Sequence, residues 1–434
     1  MHARGVDESA HVLSAICAAR ARDDARAGLG VGRSMTHQDD PAAHPAELAG
    51  LGIVYFGNDW RSENRTSSHH IASRLASTMP VLYVSSPGMR KPQASASDLG
   101  RMIRKLRAAL KPPERMGDRL WVCTVPQIPF RRIPGVDAIN RWFGVWSVRR
   151  ALRVAGLTRW ISWFVVPHPG FMAGRLGEEL CVYYCIDDYA AHPGVDSELI
   201  AERDAQLTRR ADLVFVAPPA LLDAKRALNP NTLFSPHGVD VDLFGQAADP
   251  ATAIAAGARD LAHPVIGYFG SLHEWIDFEL IEWLARARPA WTFLLVGHAA
   301  ADVSRLAALP NVRLVGAQPY ATLPHWAKAF DAAIIPYRLN RQVQNANPLK
   351  LREYLATGKP VVSVRNAEIE KFARWVHIAD DREGFLRGLD QALRDDTPEA
   401  QAERIGAVAN QTWDQRVTEI LHATTEALMQ RRRR

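Results

Sequence analysis

The chain has 434 residues, is 47% hydrophobic and 23% charged, and carries a formal net charge of +6. That length exceeds one ordinary core and predicts two domains of roughly 150–200 residues each, with the composition of a globular protein. No apolar run reaches the ~18–20 residues of a membrane span, and Cys17, Cys123, Cys181 and Cys185 lack zinc or disulfide spacing, so they read as reduced thiols.

Residues 1–47 are rich in Ala, Arg, Asp and His, with no apolar signal-peptide core. They read as a disordered leader on a cytoplasmic protein. Gly28-Leu-Gly-Val-Gly-Arg33 follows no strand and does not complete G-x-G-x-x-G. The first strand is expected at 52–56, the loop Gly57-Asn-Asp-Trp60 after it, a helix over 67–79 and a strand at 81–84. Further strands are expected at 120–124, 159–164, 181–186 and 213–216, with a helix over 195–211. After a linker around 249–262 a second series begins. It has strands at 265–269, 292–296, 312–315, 332–335 and 361–364, a helix over 278–287 and a helical tail from 401. Alternating buried strands and helices predict two parallel, doubly wound sheets, whose ligands bind at the carboxyl ends of strands.

The charge is unevenly spread. From Arg90 to Arg159 there are sixteen Lys or Arg against four acids, a local excess of +12. Two amphipathic pieces carry part of it, 99–110 and 139–152, the second interleaving Arg with Trp142, Phe143 and Trp146. Such pieces suit an anionic membrane interface, and equally a solvated helix face over a normal core stripe.

The most informative segment is Asn347-Pro-Leu-Lys-Leu-Arg-Glu-Tyr-Leu-Ala-Thr-Gly-Lys-Pro-Val-Val-Ser363. It reads as loop, helix, tight turn and buried strand, with Asn347 as N-cap, Pro348 at the first helical position and Gly358 at the stop. Lys350 and Glu353 lie three apart, on one side of the helix. A helix N-terminus beside a lysine attracts phosphate, and a carboxylate one turn in suits sugar hydroxyls. An ordinary capped surface helix has the same pattern.

The order of pieces resembles a GT-B glycosyltransferase of the nucleotide-sugar-dependent, polysaccharide-biosynthesis type, over roughly residues 50–425. Ser235-Pro-His-Gly-Val-Asp240 resembles the signature before the second domain. Val265-Ile-Gly-Tyr-Phe-Gly270 resembles its first strand and glycine turn. Leu294-Leu-Val-Gly297, Pro310-Asn-Val-Arg-Leu-Val-Gly316 and the stretch from Leu323 to Pro336 follow in the family's order, and the segment from Asn347 resembles the donor motif. The resemblance implies two Rossmann-like domains facing across a cleft: 48–240 for the acceptor, 255–405 for the donor, and 406–434 returning as a helix to the first. It implies a nucleotide-diphosphate sugar as co-substrate and a glycan or lipid-linked acceptor in teichuronic-acid-like or exopolysaccharide synthesis. No cofactor, metal or nucleic acid is expected. The place expected is the inner face of the cell membrane. A UDP-sugar 2-epimerase of the same fold and a non-catalytic sugar-nucleotide-binding subunit are the alternatives.

By resemblance, Glu353 binds the donor ribose, Lys350 the departing diphosphate, and Gly270, Ser271, Tyr337, Asn347 and Leu349 line the donor. Two departures stand out. Gly270-Ser-Leu-His-Glu-Trp-Ile-Asp277 lacks the Arg and Lys that many relatives place there, and Asn345 stands where retaining members carry a second Glu. On the acceptor side, Asp59 in the loop after the first strand, His70 at the opening of the next helix and Asp188 at the carboxyl end of the strand 181–186 are candidate bases. A buried structural role is the alternative for each. His69, His168 and Asp187 share that region, and His237 reads as shaping the hinge.

Overall fold

The protein is described by a computed structural model covering residues 46–62, 65–85, 111–125, 135–192 and 194–434. The leader up to residue 45, the basic segment 99–110 and the basic residues 131 and 132 lie outside the described residues.

Two open sheets form the frame. Among the described residues, the N-terminal sheet has the order β3-β4-β2-β1-β5-β6-β7-β8. Its strands are β1 (Gly52–Gly57), β2 (Val81–Ser85), β3 (Glu114–Arg115), β4 (Leu120–Thr124), β5 (Trp160–Phe164), β6 (Leu180–Cys185), β7 (Leu213–Val216) and β8 (Thr232–Phe234). All are parallel except β3, which runs antiparallel to β4. The C-terminal sheet is wholly parallel, in the order β11-β10-β9-β12-β13-β14. It comprises β9 (Val265–Phe269), β10 (Thr292–Val296), β11 (Val312–Gly316), β12 (Ala332–Ile335), β13 (Val361–Val364) and β14 (Val376–Ala379).

Alternation along each strand divides the residues between two packed faces. In β1, Ile53 and Tyr55 join one core with Ile71, Ala72 and Leu75 of α1 (Ser67–Thr78). Val54 and Phe56 join the other, with Val148, Ala151 and Leu152 of α2 (Val136–Ala155) and Leu207 of α3 (Ser197–Arg210). The C-terminal sheet is covered in the same way. Leu280, Ile281 and Leu284 of α4 (Phe278–Ala287) lie on one face, and Leu351, Tyr354 and Leu355 of α5 (Leu349–Ala356) on the other.

The chain crosses between the halves twice, and the two crossings lie side by side. Val239 and Thr412 pair as an isolated parallel bridge, with Val239 N–H donating to Gln411 O (2.9 Å) and Trp413 N–H to Val239 O (3.2 Å). Gly238 permits this approach, since a Cβ there would meet the Trp413 backbone at 2.8 Å. From Trp413 the final helix α6 (Trp413–Arg433) lies on the N-terminal core through Trp413, Val417, Ile420, Leu421 and Leu428.

The expected strands are present with small boundary differences, such as Leu180–Cys185 for 181–186. β3, β8 and β14 were not expected; each is short and at a sheet margin, where periodicity carries little signal. Asn347 is not the N-cap of α5. Pro348 takes that position in an extended conformation, and no side chain caps the helix. The thiols of Cys181 and Cys185 are buried and form no disulfide.

Trp413 is 1% exposed and belongs to the N-terminal core although the chain reaches it from the C-terminal half. Trp413→Ala is expected to cost about 3–5 kcal/mol, read as a lower urea midpoint. An unchanged midpoint would show that α6 adds nothing to the stability of that core.

Candidate active site

The carboxyl ends of β9 and β10 end in glycines with left-handed backbone, Gly270 at φ 142° and Gly297 at φ 157°. A Cβ on Gly297 would overlap the Gly270 carbonyl oxygen, and one on Gly270 would lie 2.7 Å from Lys350 Cε. The two glycines therefore bring backbone to backbone and leave room for the lysine. Ser271 is half-buried beside them, and its carbonyl accepts from Tyr268 OH (3.2 Å).

Lys350 and Glu353 face that edge from the first turns of α5. Lys350 Nζ donates to Glu353 Oε2 (2.7 Å) and lies 5.2 Å from the centre of the Phe269 ring. Glu353 is buried, and its other oxygen accepts from Tyr320 OH (3.4 Å). The uncapped first turn of α5 adds backbone N–H groups and the positive end of a helix dipole. Leu349 packs against the N-terminal core, so α5 starts in contact with both halves. Tyr337 bridges to Ile276 on the far side of the same edge. Its phenol is raised above its ordinary range by burial, with the Glu353 charge adding to the effect.

The loop before α5 touches the N-terminal half. Asn345 Nδ2 donates to Asp188 Oδ2 (3.0 Å) and Asn347 Nδ2 to the Ala217 carbonyl (3.1 Å). Asn347 Oδ1 accepts from Arg352 Nη1 (2.7 Å), so its side chain is engaged at both ends. Arg352 is 2% exposed and also donates to Gln411 Oε1 (2.8 Å) and Glu368 Oε1 (2.5 Å). Asn366 holds the loop from behind, its Nδ2 donating to the Val343 carbonyl (2.5 Å). Arg352, Tyr320, Asn366 and Gln411 escaped the sequence reading. Only Arg352 left a signal, a charge set between Leu351 and the apolar Tyr354-Leu355.

The acceptor-side candidates fall in different settings. Asp59 is exposed, and its carboxylate turns back to accept from Arg61 N–H (3.1 Å). His69 has both ring nitrogens engaged, Nδ1 accepting from Thr66 N–H (3.1 Å) and Nε2 donating to the Asp59 carbonyl (3.0 Å). His70 is buried between two aromatic rings, stacked on Trp413 at 5.0 Å and set against Tyr320 at 5.1 Å. Asp187 pairs with His192 Nε2 (2.7 Å), while Asp188 is buried at the end of β6 and reaches across to Asn345. His168 is buried in the turn after β5, and His237 is buried 6.0 Å from the Trp413 ring. The structure thus brings His70, Tyr320, Glu353 and Lys350 into one line of contacts and Asp188 to the same loop. It leaves Asp59 on the surface. Among the described residues, no group of three or more His, Cys, Asp or Glu is arranged to hold a metal ion.

Two facing parallel α/β sheets, joined by paired crossings, are the architecture of GT-B enzymes. Solved structures share it. The sucrose-phosphate synthase from Thermosynechococcus elongatus aligns with a TM-score of 0.63 at 14% identity, covering 88% of this chain and 100% of that one. Anabaena HepE in complex with UDP and glucose aligns at 0.59 and 14% identity, over 87% of this chain and 99% of that one. Residues 263–405 match the family described as Glycosyl transferases group 1. The chain is also 26% identical over 312 residues to the teichuronic acid biosynthesis glycosyltransferase TuaH of Bacillus subtilis (strain 168), covering 62% of this chain and 78% of that protein. This protein is a glycosyltransferase of the GT-B fold.

Burial lowers the His70 imidazole from 6.5 to about 3, with the Arg74 charge adding to it, and lowers His237 to about 3 as well, with Arg352 adding. Both rings are neutral in the folded protein, whereas in the unfolded chain they take a proton below pH 6.5. The unfolded state therefore binds more protons between about pH 3 and 6.5, and stability falls as pH drops through that window. At pH 5 the loss is expected to be roughly 2 kcal/mol per histidine. His70→Phe should flatten the pH dependence of the unfolding midpoint. An equally steep profile in the variant would refute a buried neutral His70.

Proposed function

We propose that the protein moves a sugar from a nucleoside-diphosphate sugar to a glycan or lipid-linked acceptor in cell-surface polysaccharide synthesis, working at the inner face of a membrane. The observation that carries this reading is the Lys350–Glu353 pair at the head of α5, set against the Gly270–Gly297 edge. The named activity of TuaH supports the polysaccharide context, and the Anabaena HepE complexes with UDP-glucose favour a uridine nucleotide. Among the described residues no helix is long and apolar enough to cross a membrane. The association proposed is peripheral, through the basic, aromatic face of α2.

In this reading the donor lies across the glycine edge. Gly270, Ser271 and the first N–H groups of α5, those of Leu349 and Lys350 included, take the diphosphate. Glu353 accepts from the ribose hydroxyls, and Tyr337 borders the donor. Asn347 acts by holding the loop, since its side chain is already bonded to Ala217 and Arg352. The acceptor oxygen bonds to the anomeric carbon as the bond from that carbon to the diphosphate oxygen breaks. The diphosphate leaves with the electron pair, and Lys350 with the helix terminus stabilises its charge.

Of the acceptor-side candidates, we assign the acceptor hydroxyl's proton to Asp188. Its carboxylate lies at the carboxyl end of β6 and meets the donor-side loop through Asn345. His70 is buried against Trp413 and Tyr320, and burial lowers its pKa to about 3, too weak a base for this role, while Asp59 is turned to the surface.

Glu353→Ala is expected to weaken nucleotide binding by about 1–3 kcal/mol, read by calorimetry. Lys350→Ala should lower kcat more than it raises KM, as removal of a group acting on the transition state does. Wild-type nucleotide affinity in the first, together with wild-type turnover in the second, would remove the donor site from this place.

Asp188→Asn keeps the shape and the bond to Asn345 within reach while removing the base. Transfer is expected to fall by ~10²-fold or more, with nucleotide affinity unchanged. Transfer at the wild-type rate would exclude Asp188 as the base.

A further inference from the structure

The outer face of α2 carries a groove of about 600 Å³ between the helix and the turn at Arg175. Arg141, Arg149, Arg153 and Arg175 line it with Trp142 and Trp146, and among the described residues no acid lines it. Trp142 is 68% exposed and Trp146 37%, and Ile139 one turn earlier is 53% exposed. For a soluble helix these apolar surfaces are costly to leave in water.

The groove is built rather than accidental. Arg149 Nη2 donates to the Arg175 carbonyl (2.7 Å) and so joins the two walls. Phe143 stacks on Trp146 at 5.3 Å and props its ring. Gly144 lets the turn His168–Met172 lie against the helix, since a Cβ there would come within 2.7 Å of Met172 Cε.

Topology gives the groove a direction. β4 and β5 are parallel members of one sheet, and α2 lies between them in sequence, ending close before Trp160. The helix therefore runs back from the carboxyl edge. Its first turns, with Ile139 and Trp142, lie toward the end of the sheet where the candidate active site is.

We propose that this groove binds the phosphate of an anionic phospholipid and docks the enzyme on a bilayer with the cleft beside the surface. Charge complementarity selects that occupant. Several guanidinium groups suit a lipid phosphate, and adjacent exposed indoles settle at the headgroup boundary. The inference rests on the membrane element of the proposed function and gives it a defined site.

The test is flotation of the full chain with vesicles of phosphatidylglycerol or phosphatidylcholine at low and high salt. The wild type is expected to float with phosphatidylglycerol at low salt, to be released by salt, and not to float with phosphatidylcholine. Each arginine lost near an anionic surface weakens binding about fivefold. Arg149→Glu with Arg153→Glu should therefore reduce flotation by more than ~10-fold. Trp142→Ser, at a mostly exposed position, should reduce it without disturbing the fold. A UDP-induced thermal shift, expected to be the same in all forms, reports folding and the donor site independently. Its absence in the wild type would count against the proposed function and not against the groove. Flotation of both variants at the wild-type level would overturn the groove. So would loss confined to a form with Arg101, Arg104, Lys105 and Arg107 changed to Glu, or equal flotation with both lipids, or none.

Discussion

The arrangement of the cleft depends on one buried guanidinium. Arg352 is almost wholly out of water, in contact with Asn347, Gln411 and Glu368, and 5.4 Å from the centre of the Phe372 ring. Burial alone pulls its pKa down, and the Glu368 carboxylate offsets that pull. A lone buried cation is costly, whereas one whose donors are matched to a carboxylate and two amide oxygens is held in a single geometry. Its three partners lie in different parts of the chain: the loop before α5, the short helix after β13, and the return crossing between halves. Arg352 therefore couples the position of α5 to the place where the chain passes back to the N-terminal half.

That coupling holds the loop before α5 against both halves. Asn347 is fixed by Arg352 on one side and by the Ala217 carbonyl on the other, and Asn345 two residues earlier meets Asp188. Asn366 closes the back of the same loop. The loop is thus a strut between two sheets, and the head of α5 moves only if the strut does. Few of these bonds are strong individually, at about 1 kcal/mol net. Their effect lies in agreement, since each holds the same few residues in the same place.

Much of the frame was legible because parallel sheets bury their strands on both faces and so leave continuous apolar runs, as at Leu294–Val296 and Ala332–Ile335. The Lys350–Glu353 spacing was legible because three residues along a helix place two side chains on one side. What stayed hidden was contact between segments far apart in sequence. Asn347 looks like an N-cap locally, yet tertiary contacts claim its amide. His70 looks like a candidate base, yet α6 returns from more than 300 residues away to lay Trp413 on its ring. Nothing in a stretch of local sequence specifies either partner. Short marginal strands such as Glu114–Arg115 failed for the opposite reason: two charged residues carry no period at all.

The scarcity of cations at the glycine edge bears on how the proposed donor site would handle charge. The loop 270–277 supplies no Arg or Lys, so Lys350 is the cation of α5 that lies against that edge, and it is engaged by Glu353. In the proposed binding mode the pair separates: the lysine turns to the diphosphate and the carboxylate to the ribose hydroxyls. Each charge exchanges one partner for another, so neither is left buried and uncompensated at any stage. Tyr320 keeps one Glu353 oxygen oriented while this happens. Tyr320 also lies against His70 of the other half, so it links the carboxylate to the contact between the two halves. In the proposed binding mode a single lysine and the uncapped helix terminus together carry the diphosphate charge.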